Sequence, residues 1–581
     1  MNAEMLQTES PQKPLRMWPA LVLMAVIVLC RYVPGFIEGA SSQVWYVPVF
    51  FPLVASVLML IWWVAGSRAT GREKLIGFFG LVAAVALIVV LSHPTMRGLI
   101  TTYLTLPLGM IGFGLGAYLN RRRPSKQRVT GVLFGAVLAM SITLLLQSYG
   151  ITGAYAFELH SRWSPAPGAG SWTQSAAPKA PSAGVNIEAA IATAEWPAFR
   201  GADRMGHTQA PKLATDWKAN PPTLLWKKPV GAGWSSFAVA GAFAFTQEQR
   251  GPSEVVACYE VATGNEVWTQ QREARFDEPM GGPGPRATPT LADGAVFVTG
   301  ASGMLQRLKA STGEVLWQQD FKSLSGRKEL PMWGYAASPL VTNSLVIIYA
   351  GGDGDKGVMA FDAVSGEPKW SVACGPESYS SPQLSKVLGE ETLLMLTNDG
   401  LLLLDPATGK VRLNYEWKFQ GYRALQPTVI GDDVILLPTP MSEGTRAIRV
   451  SKKRDQLAAE KLWTSKQLKT DFSDLIAHQG YLYGIDGSMF SCIDLKTGTR
   501  MWKDGRYGKG QALLLESSDQ ILIAAEDGRV VLLQADPTAH KELTSFQALQ
   551  GKMWNHPVVV GNKLLVRNAT EAACYALPVA P

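Results

Sequence analysis

Eight short stretches of this chain gather residue types able to bind or react. They read GWSS (233–236), PRAT (285–288), MWGYA (332–336), ESYSS (377–381), GYRA (421–424), TDFS (470–473), GKGQ (508–511) and MWNH (553–556). Each comes just before a short apolar run bounded by Gly, Asp or Asn, the pattern of a strand and its turn. Together they supply Trp234, Arg286, Trp333, Tyr335, Tyr379, Arg423, Lys509, Trp554 and His556, with Glu377 and Asp471 as the only carboxylates. Aromatic faces stack on flat molecules, and cations form charge-assisted hydrogen bonds with carboxylates. Brought to one place, the set would suit a planar anionic ligand. The same side chains could equally plug and polarise a channel.

Other chemistries find little support. The cysteines Cys30, Cys258, Cys374, Cys492 and Cys574 form no CxxC pair, which argues against zinc, a thioredoxin-type centre and c-type haem. Three of them fall in similar apolar runs, VACYEV, SCIDL and AACYAL, and are expected as buried free thiols. None of the histidines (His93, His160, His207, His478, His540 and His556) lies in the middle of a long apolar run, so a membrane haem is not expected. GFGLG (112–116) superficially matches a dinucleotide loop, but it lies inside an apolar span, where small residues more often let helices approach closely. No nucleotide is expected.

The elements that must position these residues repeat. VATGNEVW (261–268), ASTGEVLW (310–317), AVSGEPKW (363–370), PATGKVRL (406–413) and LKTGTRMW (495–502) share one turn and mostly one tryptophan. Tryptophans at 226, 268, 317, 370, 463 and 502, with Leu413 and Phe546 in the missing places, are spaced by 39 to 53 residues. A unit of that length built from short strands is one four-stranded propeller blade. The runs SSFAVAG, ATPTLAD, ASPLVTN, SSPQLSK, LQPTVIG, SDLIAHQ, QALLLES and NHPVVVG give an independent count of eight innermost strands. PTLLWKK (222–228) is then left over, to pair with the C-terminal strands near 564–577 and close the ring. Glycine takes the left-handed position of each turn, and tryptophan packs between blades.

At this point the repeats FDAVSGEPKW and IDLKTGTRMW resemble the tryptophan-docking motif of the quinoprotein, or PQQ-like, eight-bladed propellers. The resemblance covers about 196–578, and WPAFRG, PRATPT and WGYAASPL resemble a PQQ-binding-like subgroup. The family includes pyrroloquinoline-quinone (PQQ) dehydrogenases of alcohols and sugars and non-catalytic assembly proteins of the BamB type. The resemblance implies, for a dehydrogenase, a Ca²⁺-assisted quinone site with an Asp base. Asp471 would be that base and Glu377 a Ca²⁺ ligand, while Trp234, Arg286, Trp333, Tyr335, Tyr379, Arg423, Lys509 and Trp554 would hold PQQ. The adjacent-cysteine disulfide of many alcohol-oxidising members is absent, and the compact blades leave little room for substrate-shaping insertions.

The N-terminal third differs. The chain is 47% apolar and 17% charged, with a net charge of +7. Apolar runs at 18–34, 44–66, 75–92, 98–119 and 129–150 are long enough, or nearly so, to cross a hydrocarbon core of about 30 Å. No charged residue interrupts a span centre, which removes the usual marker of an ion path. RATGREK (68–74) and RRRPSKQR (121–128) together carry a positive charge equal to that of the whole chain. They are expected inside the cell, with the N-terminus, and everything after residue 150 outside. The basic balance thus reflects membrane orientation and points to no nucleic acid. The first span, retained rather than cleaved, gives the odd number this topology needs. Five N-terminal spans before a propeller also resemble the membrane-bound glucose dehydrogenase.

The expected organisation is therefore a cytoplasmic N-terminus (1–17), a five-helix membrane domain (18–150), a flexible Pro/Ala/Ser-rich linker (151–195) and an all-β eight-bladed propeller (196–581) on the periplasmic side of the inner membrane. The linker's Pro/Ala/Ser/Gly-rich part, 161–195, would span roughly 30–35 Å as a flexible tether. Two functions stay open: a scaffold that binds a ligand or protein partner without catalysis, and a PQQ-dependent alcohol or sugar dehydrogenase feeding electrons to membrane quinone.

Overall fold

The computed structural model describes residues 13–33, 47–153, 156–165, 167, 186–375, 377–441, 443–454 and 456–581. They form two units, a helical one up to Ser164 and a β unit that makes up most of the remainder.

The helical unit contains α1 (Trp18–Tyr32), α2 (Val47–Ile61), α3 (Gly71–Leu91), α4 (Leu106–Asn120) and α5 (Ser125–Ser141). Single π-helical turns extend α2 to Gly66 and begin α4 at Thr101, and a 3₁₀ turn carries α5 to Leu145. Four of these helices are long and apolar enough to cross a membrane; α1, at 15 residues, is shorter. The last apolar stretch, expected to run to 150, leaves its helix at Leu145. Leu146–Ile151 instead pairs as a strand with Phe157–Ser161. The π turn Trp62–Gly66 places two indoles inward: Trp62 donates to Arg16 O at 2.9 Å and Trp63 to Lys74 O at 3.2 Å. The N-terminal segment also bonds Ser67 O through Arg16 N and Arg121 O through Leu15 N. The segment just before α1 and both basic loops therefore lie at one end of the bundle. The glycines of GFGLG are spent on packing: a Cβ on Gly112 or Gly116 would strike the carbonyl of Gly135 or Gly131 in α5.

The β unit is an eight-bladed propeller. Seven blades are each built from four sequential antiparallel strands, spanning 238–273, 290–320, 340–372, 383–416, 428–465, 476–506 and 511–547, the last with a fifth, parallel strand at its inner edge. The eighth pairs Val558–Val560, Lys563–Arg567 and Glu571–Ala576 with Thr223–Pro229 from the other end of the chain. Closing the last sheet with the first strand leaves no blade short of a partner.

Each blade is fixed to the next at the outer strand. Trp226, Trp268, Trp317, Trp370 and Trp463 lie over Gly264, Gly313, Gly366, Gly409 and Gly498, the turn glycines of the following blades. These glycines have φ of +69° to +77°, the left-handed region. A side chain on Gly264 would come within 2.6 Å of the Trp226 ring. Four of these indoles also donate across the blade boundary: Trp226 to Val261 O (2.8 Å), Trp268 to Ala310 O (2.8 Å), Trp317 to Ala363 O (3.1 Å) and Trp463 to Leu495 O (3.1 Å).

The expectation that Phe546 replaces a tryptophan is corrected by register. Each tryptophan stands at the residue just after a bulge, and in the seventh blade that place is Thr544, opposite Leu532. Phe546 lies two residues further on and packs edge-to-face on Trp217, whose backbone N–H donates to Thr544 Oγ1.

Around the axis, a second set of bonds links the innermost strands. Two residues before each such strand stands a polar side chain: Ser236, Thr288, Ser338, Ser381, Gln426, Asp474, and their equivalents Gln511 and His556. The N–H of Ser236 donates to Thr288 Oγ1 (3.1 Å), Thr288 N–H to Ser338 Oγ (2.9 Å) and Ser338 N–H to Ser381 Oγ (2.9 Å). Ser381 N–H then donates to Gln426 Oε1 (3.1 Å) and Gln426 N–H to Asp474 Oδ1 (2.6 Å). The second to sixth blades thus each satisfy a buried backbone donor of the blade before.

A strap, residues 196–208, runs across these strands. Trp196 exchanges backbone bonds with Val239, and Pro197 O accepts from Leu291 N. Arg204, at 2% exposure, donates to Pro382 O at 2.8 Å and also reaches Ser338 O, Pro339 O and Thr290 Oγ1. Arg200 donates to Leu475 O (2.9 Å), and His207–Thr208 pairs in parallel with Leu514–Leu515. Arg200 and Arg204 both have φ of +61°, a conformation that costs an arginine about 1–3 kcal/mol. Their carbonyl contacts to three blades, and the Arg204 bond to the Thr290 hydroxyl of a fourth, hold it. Of the stretch expected as linker, Phe157–Ser161 is a strand and Ile187–Ala192 a short helix, α6, while 168–185 lie outside the described residues.

Candidate functional site

The segments that precede the innermost strands bring two aromatic groups to the start of the channel. In the first, Trp554 lies 5.0 Å from Trp234 and 5.0 Å from Phe472, ring centre to ring centre. The Lys552 ammonium sits 4.3 Å from the Trp554 ring and 5.2 Å from that of Trp234. Trp554 Nε1 donates to Glu526 Oε1 at 3.0 Å, and Glu526 Oε2 accepts the Lys509 N–H at 2.9 Å. The Lys509 ammonium in turn pairs with the Asp471 carboxylate. In the second group, the Trp333 ring meets Tyr379 at 5.0 Å and Tyr422 edge-on at 4.3 Å, and the Trp333 backbone N–H donates to Tyr379 Oη at 3.4 Å. All six rings are half-buried: packed at one edge, open at the other.

Several residues expected here serve elsewhere. Tyr335 packs edge-to-face on Phe321 in the core between the second and third blades, where burial pushes its hydroxyl up to about 12. Arg423 is wholly buried. It donates to Thr439 Oγ1 (3.1 Å) and Thr397 O (2.5 Å) and lies 4.8 Å from the Trp417 ring. Burial, reinforced by Arg446, lowers its pKa to about 10. Arg286 is held by Glu278 (2.8 Å), by Gly282 O and Gly284 O, and by the Phe276 ring; burial lowers its pKa against the pull of Glu278. Glu377 is exposed, and its backbone carbonyl accepts from Asn398 N. His556 is buried beside Trp196 and Phe199, and burial lowers its pKa to about 3.

Of the residues the sequence expected at one mouth, Trp234, Trp333, Tyr379, Asp471, Lys509 and Trp554 lie in these two groups, which Phe472, Tyr422, Lys552 and Glu526 also join. Phe472 and Tyr422 were legible as neighbours of Asp471 and Arg423 in stretches already singled out. Glu526 was not, because it follows the second strand of its blade rather than preceding the first.

Residues 252–504 match the family described as outer membrane protein assembly factor BamB. The repeats are PQQ-like and BamB-like. A BamB of Yersinia pestis is 24% identical over 289 residues, covering 46% of this chain and 69% of its own. One from Moranella endobia (strain PCIT) is 28% identical over 153 residues, 26% of this chain and 35% of its own. Among solved structures, BamB from Moraxella catarrhalis overlays at a TM-score of 0.42 with 15% identity, covering 61% of this chain and 98% of that one. A europium-containing methanol dehydrogenase overlays at 0.46 with 13% identity, covering 66% and 98%. Likeness this distant does not separate the two activities.

On this PQQ-like propeller, the residues assigned to PQQ and Ca²⁺ do not fit those groups. A calcium site needs several convergent oxygen ligands. Glu377 is exposed, Asp471 is engaged by Lys509, and among the described residues no three of His, Cys, Asp and Glu are grouped to hold a metal. The arginines meant for the quinone carboxylates are bound to Glu278 and backbone oxygens in one case and buried beneath Trp417 in the other.

Proposed function

We propose that the protein is a membrane-anchored scaffold whose PQQ-like propeller, on the periplasmic side of the inner membrane, binds a partner at the aromatic mouth without catalysis. One observation carries this reading. Trp234, Trp333, Tyr379, Tyr422, Phe472 and Trp554 come from separate channel segments and are all left half-open. Half-open Trp and Tyr are the side chains that dominate recognition surfaces, where a large rigid face is desolvated at little entropic cost. The carboxylate and cations that chemistry would require are instead paired within the protein. The match to an assembly factor supports a protein partner, and the four long apolar helices support the anchor.

The test is a visible absorption spectrum of the purified chain with PQQ and Ca²⁺ added, alongside dye-linked oxidation of alcohols and sugars. No quinone spectrum and no dye reduction are expected. A stoichiometric PQQ spectrum with turnover would overturn the scaffold reading in favour of a dehydrogenase.

A further inference from the structure

The helical unit sets two arginines side by side on one helix end. Arg97 Nη2 donates to Val90 O (3.0 Å) and Ser92 O (3.4 Å), at the C-terminus of α3. Arg162 Nη1 donates to Leu91 O (3.0 Å), the carbonyl between those two, and to Leu144 O (3.2 Å) where α5 finishes. A helix C-terminus carries partial negative charge, so cations settle there. That accounts for one nitrogen of each guanidinium. It leaves the other N–H groups of both forks open: among the described residues neither arginine pairs with a carboxylate, and none of these free nitrogens is buried.

The surroundings show what these forks face. This end of the bundle is opposite the one where the N-terminal segment meets Ser67 and Arg121. Trp163, directly after Arg162, is 75% exposed, and Tyr32, the last residue of α1, is 65% exposed. Large amphipathic rings left open at the end of apolar helices mark the boundary between hydrocarbon and water. At that depth the abundant oxyanions are phospholipid phosphates, and a guanidinium fork meets two phosphate oxygens at once.

We propose that Arg97 and Arg162 form a headgroup site for an anionic phospholipid in the leaflet where α3 and α5 end. The proposal rests on reading the long helices as membrane-spanning. The phosphodiester, with its single negative charge, would sit between the two forks and offset one of the two cations, with the lipid's acyl chains along the exposed apolar faces of α3 and α5.

The test uses the full chain in nanodiscs of phosphatidylcholine containing a minor fraction of phosphatidylglycerol, with retained lipids counted by native mass spectrometry. Wild type should retain phosphatidylglycerol at roughly thirtyfold over its bulk fraction, as two basic residues near the surface would produce. An Arg97→Gln, Arg162→Gln variant should return to the bulk fraction. Glutamine keeps an N–H donor for the helix carbonyls, and the melting temperature checks that the bundle survives. Arg97→Lys, Arg162→Lys, which keeps charge and loses the fork, should fall between the two. Equal retention by wild type and the Gln variant overturns the site. So does binding of added inorganic phosphate with no preference for phosphatidylglycerol. Failure of the chain to enter nanodiscs of any composition would overturn the membrane reading itself, a separate outcome.

Discussion

Trp268 covers Gly313 of the following blade and donates its indole N–H to Ala310 O, three residues earlier, at 2.8 Å. One side chain thereby seals a turn that only glycine can complete, because φ there is +74° and any Cβ would strike the ring. Replacing Trp268, 1% exposed, by Ala should cost about 3–5 kcal/mol. Trp370 is half-exposed and its Nε1 bonds nothing, so the same change there should cost clearly less. Urea unfolding of the full chain in detergent, followed by tryptophan fluorescence, measures both. Equal losses would show that burial is not what the motif supplies.

This pairing also explains what the sequence could and could not reveal. A tryptophan is present where the next blade offers a T-G or S-G turn. Leu413 replaces it where the fifth blade has a longer hairpin, Gly444–Lys453 with Gln456–Ser465, against which Leu413 packs beside Leu457 and Ala459. Thr544 replaces it where the eighth blade has no turn at all, its third and fourth strands coming from opposite ends of the chain. Trp502 docks on a glycine-free turn instead, bonding Asp536 O at 2.9 Å and meeting the His540 ring edge-on. The repeat was legible because each unit carries the same local chemistry. The strap was not, because Arg200 and Arg204 act through backbone carbonyls of distant blades, which leave no trace in composition. The mouth was half legible: position before an inner strand is periodic, but whether Arg423 points to the channel or beneath Trp417 depends on packing between blades.

The strap should respond to pH through His207. Its Nε2 lies 2.6 Å from Asp203 Oδ2 on the strap, and its Nδ1 lies 3.0 Å from Glu516 Oε2 on the seventh blade. Only an imidazolium can donate to both. The Asp203 hydrogen bond, then the charges of Asp203 and Glu516, raise the His207 pKa against partial burial; Arg200 acts on Asp203 from the strap side. A raised folded-state pKa means the contact is fully present below the unfolded value of about 6.5 and is lost as pH climbs through the raised one. Leu514 N, which donates to Gly206 O at 3.0 Å, reports on the pairing. Its hydrogen exchange, corrected for intrinsic rate, should gain protection as pH falls toward 6. A His207→Gln variant should lose that dependence. An unchanged profile in the variant would assign the effect to another group.

Topology is testable independently of function. The N-terminal segment and the loops holding Arg68, Arg72, Lys74 and Arg121–Arg123 lie at one end of the bundle, so these charges should stay in the cytoplasm. The chain leaves α5 at the other end. Alkaline phosphatase fused after residue 195 should be active, and the same fusion after Arg123 inactive. Because α1 is the shortest apolar helix, it decides the parity of the spans. Activity after Arg123 with none after residue 195 would mean that α1 does not cross.

The mouth supplies the sharpest contrast between binding and catalysis. Trp554 is its best-connected side chain, touching Trp234, Phe472 and Lys552 and donating to Glu526. Half-open aromatic anchors in recognition surfaces typically cost 2 kcal/mol or more when truncated, which is about thirtyfold in affinity. Trp554→Ala should therefore weaken partner capture by that order while leaving the melting temperature nearly unchanged, since the ring is only half-buried. Asp471→Asn removes one member of an ion pair with Lys509 whose side chains are 17% and 10% exposed. It should free the lysine without touching the aromatic face, changing the salt dependence of binding more than its strength. Trp333→Ala, in the other aromatic group, separates one continuous surface from two. If both tryptophan variants weaken the same partner, the groups act together. If neither does, the function of this propeller does not reside at its mouth.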